Sequence, residues 1–423
     1  MFEKLKRIWG IKPLRNSLLY VIFLLVIFRI AAHIPVPGIN TEALSNFLSG
    51  NQVLGLLNVF SGGTLTTFSI VALGVAPYIT ASIIFQLLTL VVPKFEELSK
   101  EGEAGQQKIS MYTRIAAVPL AILQAYGLIQ LLSSQGSGIL TDVSPFSVAA
   151  VILTVTAGSM FLMWMGELIT EKKVGNGISL LIFAGIIAGL PQLLQTVFVN
   201  YDASQIFIYI SFLAIVVATI VGVVIISEGQ RNIPVSYAKQ GQGGFGKSGA
   251  SSHLPLRVNM AGVIPIIFAI SVVLFPSIVA QFFVNGTGAM AQFAQKVIAL
   301  FQNQLFYGIT YFVLVFGFTY FYTSVVFQPN KIAENLQRQG GFIPGIRPGK
   351  QTEEYIGTIM HRLVFSGALF LGLIAVLPLL LQFFTGTQSL VIGGTSILIV
   401  VSVCIETIKQ IEAQMTLHEY DHV

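Results

Sequence analysis

The sequence has a single cysteine, Cys404, only five histidines, and little charge: Asp, Glu, Lys and Arg make up 10% of its 423 residues. One thiol excludes an intrachain disulfide and argues against a thiolate metal cluster within one chain. The shortage of charge excludes a water-soluble domain of this size, since such domains carry roughly 25% charged residues. With 54% of residues hydrophobic, the surplus apolar surface must face lipid. Charge is scarcest inside the apolar runs, where Arg29 stands alone and Glu167 and Glu406 lie near ends. Ion-coupled carriers usually hold an acid, a histidine or a lysine at membrane depth, so this absence argues against proton-coupled or sodium-coupled solute transport.

What is present is a series of apolar runs of about 20 residues, the length a bilayer core requires. Ten lie at 18–35, 68–92, 115–133, 146–166, 178–198, 206–227, 259–284, 304–327, 363–384 and 391–408. The opening "MFEKLKRIWGIKPLR" has the charge of a signal peptide, but the run behind it contains Arg29 and lacks a small-residue cleavage site, so it reads as a retained helix. If ten helices alternate in direction, 21 of the 23 Lys and Arg fall on one side, leaving Arg29 within a helix and Lys296 opposite. That asymmetry places both termini in the cytoplasm. The formal charge of +5 is then a topology signal that needs no nucleic-acid partner. Two long loops on the same side, 228–258 and 328–362, suggest a docking surface for something soluble.

The stretch "GVAPYITASIIF" at 74–85 interrupts the second run with Gly74 and Pro77, and "GVIPIIFAI" at 262–270 repeats the break in the seventh. An odd number of spans per half inverts the second copy relative to the first. Gly/Pro-interrupted segments at matching positions of two halves are the mark of inverted repeats around a pathway, with halves expected at 1–205 and 206–423. Gly and Pro are commoner in membrane helices generally, which explains one such break better than two matched ones. Around the breaks the chain supplies isoleucine, and an isoleucine constriction seals a pore by dewetting. Spacing alone, however, favours ordinary helix packing for Ile79, Ile178, Ile182, Ile267 and Ile399.

Three motifs imitate other chemistry. "GQGGFGKS" at 241–248 satisfies the phosphate-loop pattern, but that site needs a strand before it and a helix after it, and "GASSHLPLR" follows. A glycine-rich loop tip is the expectation. "HEYDHV" at 418–423 contains H-E-x-x-H in His418, Glu419 and His422, yet zinc would need a third ligand and only Val423 remains. "NGT" at Asn285 fits a glycosylation acceptor and carries no weight. Neither a cofactor nor a metal site is expected, nor catalysis.

Five phrases go beyond membrane grammar: "FSGGTLTTFSIVALGVAPYITASII", "FLMWMGELITEKKVGNGISLLIFAGI", "SHLPLRVNMAGVIPIIF", "ENLQRQGGFIPGIRPGKQTEEYI" and "GGTSILIVV". In this order, from about residue 10 to 415, they closely resemble the SecY family, the channel subunits of the bacterial general protein translocase. The resemblance implies an all-α polytopic membrane protein, ten helices in two inverted five-helix halves, closing as a clamshell on an hourglass pore. Val75, Ile79, Ile178, Ile182, Ile267 and Ile399 match the apolar ring at its waist. Residues 59–71, with Phe60, Ser61, Gly62, Gly63, Thr64 and Leu65, match the plug beneath the ring, the alternative being a re-entrant cap that never moves. Thr80, Gln86, Gln124 and Ser271 lie along the expected lateral gate. Arg347 matches the family's functional loop arginine, with Lys350, Arg257 and Lys239 as supporting charges toward the SecA motor or the ribosome.

The resemblance further implies SecE and SecG as companion subunits, signal peptides and unfolded precursors as cargo, membrane lipids around the channel, and YidC and SecDF as further candidate contacts. Nucleic acid would be met only through the ribosome. The setting implied is the bacterial cytoplasmic membrane, with passive, gated translocation and sideways release of hydrophobic segments. An inverted-repeat solute transporter is the alternative. The chain departs from the family where Gln106 and Gln107 replace a usual basic pair, and where the 241–249 loop is glycine-rich rather than basic. Those departures bear on lipid, motor and ribosome contacts and leave the pore untouched.

Overall fold

The computed structural model describes residues 8–44, 58, 61–134, 144–199, 206–237, 251–284, 288–385 and 389–420. It is mostly helical. The N-terminal part contributes α1 (Lys12–Ala32), α2 (Ala76–Val91), α3 (Pro93–Lys100), α4 (Glu103–Ser134), α5 (Pro145–Glu171) and α6 (Gly177–Val199). Then come α7 (Ile206–Glu228), strands β1 (Gln230–Tyr237) and β2 (Ser251–Arg257), α8 (Ile264–Val284), α9 (Ala289–Gln302) and α10 (Gln304–Val326). The chain finishes with α11 (Pro329–Arg338), β3 (Gly341–Phe342), α12 (Lys350–Thr385) and α13 (Ser389–Tyr420). Each of the ten expected apolar runs overlaps a helix. Among the described residues, five helices are long and apolar enough to cross a membrane, or six if the bent pair α2 and α3 counts as one span.

Local sequence sets the helix starts. Proline stands in the first turn of α1, α2, α3, α5 and α11, where its missing N–H would have had no helical partner. Ser144 and Asn303 cap α5 and α10, their side-chain oxygens accepting from Ser147 N and from Leu305 N and Phe306 N. The matched breaks have one geometry. Gly74 and Gly262 both sit in the left-handed region, at φ 58° and 62°, two residues ahead of the first residues of α2 and α8. A side chain at either position would be strained, so each glycine turns the chain from irregular backbone into a helix.

Two apolar runs therefore begin as something other than helix. Residues 68–75 and 259–263 were expected within spans, but both are turns and bends, and the helices start at Ala76 and Ile264. Non-helical backbone is tolerated at membrane depth only when buried in protein. Accordingly Phe68, Ser69, Val71, Ala72 and Val75 are almost fully covered. After α2 the chain bends by 99° into α3, fixed by Pro93 and by Phe85, Phe95 and Tyr112, whose rings pack within 5.7–6.3 Å of one another.

The first six helices meet the rest along two seams. On one, α8 packs against α2 and α4; on the other, α13 packs against α6. The main core lies between, drawing on α1, α2, α5, α6, α8, α10, α12 and α13. A three-stranded antiparallel sheet of order β2-β1-β3 gathers both long loops into one body. Ile233, Val235 and Leu256 from its first two strands pack with Leu336, Ile343, Ile356, Ile359 and Met360. At 36 residues α12 is much longer than the ~20 that span a bilayer, and its first turns carry three of these partners.

Candidate functional site: an apolar cluster and the irregular segment ahead of α2

Six residues expected at the waist come from four separate elements and lie in or against one large apolar cluster. Val75 and Ile79 enter from the start of α2, Ile178 and Ile182 from α6, Ile267 from α8 and Ile399 from α13. Val75, Ile79, Ile182, Ile267 and Ile399 are buried members of one apolar cluster, and Ile178 packs against it. Ile178 is seated on Gly166 of α5, where an added Cβ would come within 2.6 Å of the isoleucine Cδ1.

To one side of these residues lies a cavity of about 440 Å³. Ile79, Ile178 and Ile267 line it together with Ser82, Gln86, Asn176 and Ser179, so its lining mixes apolar and polar side chains. At its rim Arg114 Nε of α4 stands 2.6 Å from Glu167 Oε1 of α5, tying those helices together. The expected gate residues have different partners. Gln124 Nε2 donates to Thr80 Oγ1 at 3.4 Å, bridging α4 and α2. Gln86 donates to Ser82 on its own helix, and Ser271 to the Ile267 carbonyl on its own helix.

Residues 61–75 form the irregular stretch ahead of α2, packed on the other elements through backbone. Ile70 N donates to Ile34 O and Val36 N to Phe68 O, a short β-bridge. Thr64 Oγ1 donates to Ser61 O at 2.8 Å and to Val71 O at 3.1 Å, folding the segment on itself. Thr67 Oγ1 donates to Ala32 O at the end of α1. Of the expected plug residues, Ser61, Gly62, Thr64 and Leu65 are buried and Gly63 is half-buried; Phe60 lies outside the described residues. Arg347 and Arg257 are both exposed, the first ahead of α12 and the second ending β2, and Lys350 is exposed at the start of α12. Thr352 Oγ1 donates to the Arg347 carbonyl at 3.0 Å, fixing the backbone that carries the guanidinium. Lys239, the 241–248 motif, Asn285 and His422 lie outside the described residues.

Sequence reasoning noted Arg29 and gave it no role. In the structure Arg29 Nη1 donates to Gly62 O at 3.3 Å, from α1 to the irregular segment ahead of α2. Its position at membrane depth was the available signal, since such a charge is functional by default. Gly185 of α6 was also missed; its backbone lies directly against that of Gly62.

The chain is mostly helical, with several helices long and apolar enough to cross a membrane and a buried irregular segment ahead of α2, and solved protein-conducting channels share this overall fold. It superimposes on "The structure of a protein conducting channel" with a TM-score of 0.64 at 17% identity, covering 93% of this chain and 91% of that one. "Sec61 in the Canine ribosome-channel complex from the endoplasmic reticulum" gives a TM-score of 0.59 at 17% identity, covering 93% and 91%. The SecY family profile matches residues 69–408. "Protein translocase subunit SecY" of Halalkalibacterium halodurans is 44% identical over 99% of both chains, and that of Bacillus subtilis likewise 44% over 99% of both. This chain belongs to the SecY family, and it is the pore subunit of a protein translocase; a solute transporter is not favoured.

Proposed function

We propose that the chain forms a passive, gated channel of two five-helix halves, 1–205 and 206–423, with ten membrane spans and both termini in the cytoplasm. No bond is made or broken in it. Cargo is an unfolded secretory polypeptide entering through the cavity, threading the ring of Val75, Ile79, Ile178, Ile182, Ile267 and Ile399, and displacing the 59–71 plug. Six aliphatic side chains from four elements grip a chain of any sequence weakly, because dispersion and hydrophobic contact are non-directional. The same ring excludes water and ions at rest by dewetting. Hydrophobic segments leave sideways where α8 parts from α2 and α4, past Thr80, Gln86, Gln124 and Ser271.

The observation that carries this reading is that those six residues, drawn from four elements, all lie in or against one apolar cluster beside a cavity of mixed lining. Arg347, Lys350 and Arg257 project from the face built by the sheet and α12, and with Lys239 they form the docking surface for the SecA motor or a ribosome. SecE and SecG complete the assembly in a bacterial cytoplasmic membrane, with YidC and SecDF as accessory contacts. The test is reconstitution with SecE, SecG, SecA and ATP in vesicles. A radiolabelled precursor should become protease-protected only where this chain is present; equal protection in vesicles lacking it would overturn the assignment.

A further inference from the structure

We propose that Arg29 and Gly185 are positioning residues that latch the segment ahead of α2 in its closed place, so that their two contacts set how readily the channel opens. The proposal rests on reading that segment as the plug. Gly62 is the point at which both contacts meet. It adopts φ 77°, which favours glycine, and its carbonyl accepts from the Arg29 guanidinium at 3.3 Å. A Cβ added at Gly62 would lie 2.8 Å from Gly185 Cα, and one added at Gly185 would overlap Gly62 Cα. Backbone lies on backbone there, with no flexible side chain to give way. A third close approach, Gly158 of α5 against the Ile70 carbonyl, seats the far end of the segment.

Other features keep this seat from being permanent. Ser69 on the segment, and Thr156 and Ser159 flanking Gly158, have buried hydroxyls without a hydrogen-bond partner. Such groups cost free energy while they stay buried, and departure of the segment would hydrate them. Phe68 at φ 40° adds local strain. The closed position is thus held by the two latch contacts together with the Ile34–Ile70 and Val36–Phe68 backbone pairs and the packing of Phe68 and Ala72, against a standing tendency to leave.

Gly189 provides a matched control. It lies one turn beyond Gly185 on α6, and a Cβ there would meet nothing within 4 Å. Purified complexes carrying Gly185→Ala, Gly189→Ala, Arg29→Met or Arg29→Lys, and one lacking residues 59–71, are reconstituted and assayed for resting ion flux and for translocation of a normal precursor. The expected result is a resting flux raised about tenfold or more by Gly185→Ala, a smaller rise for Arg29→Met, partial rescue by Arg29→Lys, and no change for Gly189→Ala. Precursor translocation should not fall in any of them, whereas a merely misfolded channel would lose it. Flux raised by the deletion but not by Gly185→Ala or Arg29→Met would overturn the latch and leave the plug. Unchanged flux on deletion would overturn both.

Discussion

Ile267 makes the residue-scale logic concrete. It is 4% exposed, belongs to the main apolar cluster, and lines the cavity beside it. Ile267→Asn would put an amide there with nothing to pair with except water, and an unsatisfied buried polar group costs about 1–3 kcal/mol. The constriction should hydrate, so resting ion flux in vesicles should rise while precursor translocation continues; unchanged flux would count against the seal. The Thr80–Gln124 contact has a smaller reach. It is long, at 3.4 Å, and hydrogen bonds within membrane proteins average ~0.6 kcal/mol. Gln124→Leu should therefore change the rate of signal-dependent precursor insertion by no more than about threefold. A tenfold effect would mean that Gln124 does more than hold α4 to α2.

At the scale of elements, the sheet couples two loops that lie about a hundred residues apart in sequence. Ile233 is buried among residues of α11, α12 and the turn after β3, and truncating a buried isoleucine to alanine costs about 2–5 kcal/mol. Ile233→Ala should speed amide hydrogen exchange at Gln230–Tyr237 and at Gly341–Phe342 together, leaving α10 unchanged; faster exchange in β1 alone would mean the loops are independent. This body was only partly legible beforehand. Period-two burial at Ile233 and Val235 was a strand signal, but β1 pairs with β3 across a long sequence separation that one sequence does not reveal. The matched breaks at Gly74 and Gly262 were legible because left-handed backbone calls for glycine. Where the helices begin was not, since an apolar run reads the same whether it is helix or buried turn. Helix α9 was missed because it is short, 14 residues, and its buried positions Ala291 and Ala294 are too small to stand out.

At the scale of the whole molecule, elements far apart in sequence contribute to one apolar core. The expected waist residues were named from the resemblance, and spacing alone pointed to helix packing; what no local pattern contained was that four elements contribute them to one core. Orientation is testable at this scale. Lys296 in α9 and Arg347 ahead of α12 are both exposed, and they should lie on opposite sides of the membrane. In a Cys404→Ser background, single cysteines at the two positions should react with an impermeant maleimide from opposite faces of sealed vesicles. Reaction from the same face would break the alternation of spans.

The central claim is that polypeptide passes through the isoleucine waist, and site-specific photo-crosslinking of a precursor stalled midway addresses it directly. Probes at Ile178 and Ile267 should form precursor-dependent adducts, while a probe at Leu213, which is 63% exposed on α7, should form none. Stalled precursor that crosslinks at Leu213 but at neither isoleucine would place the path outside the waist and contradict the channel described.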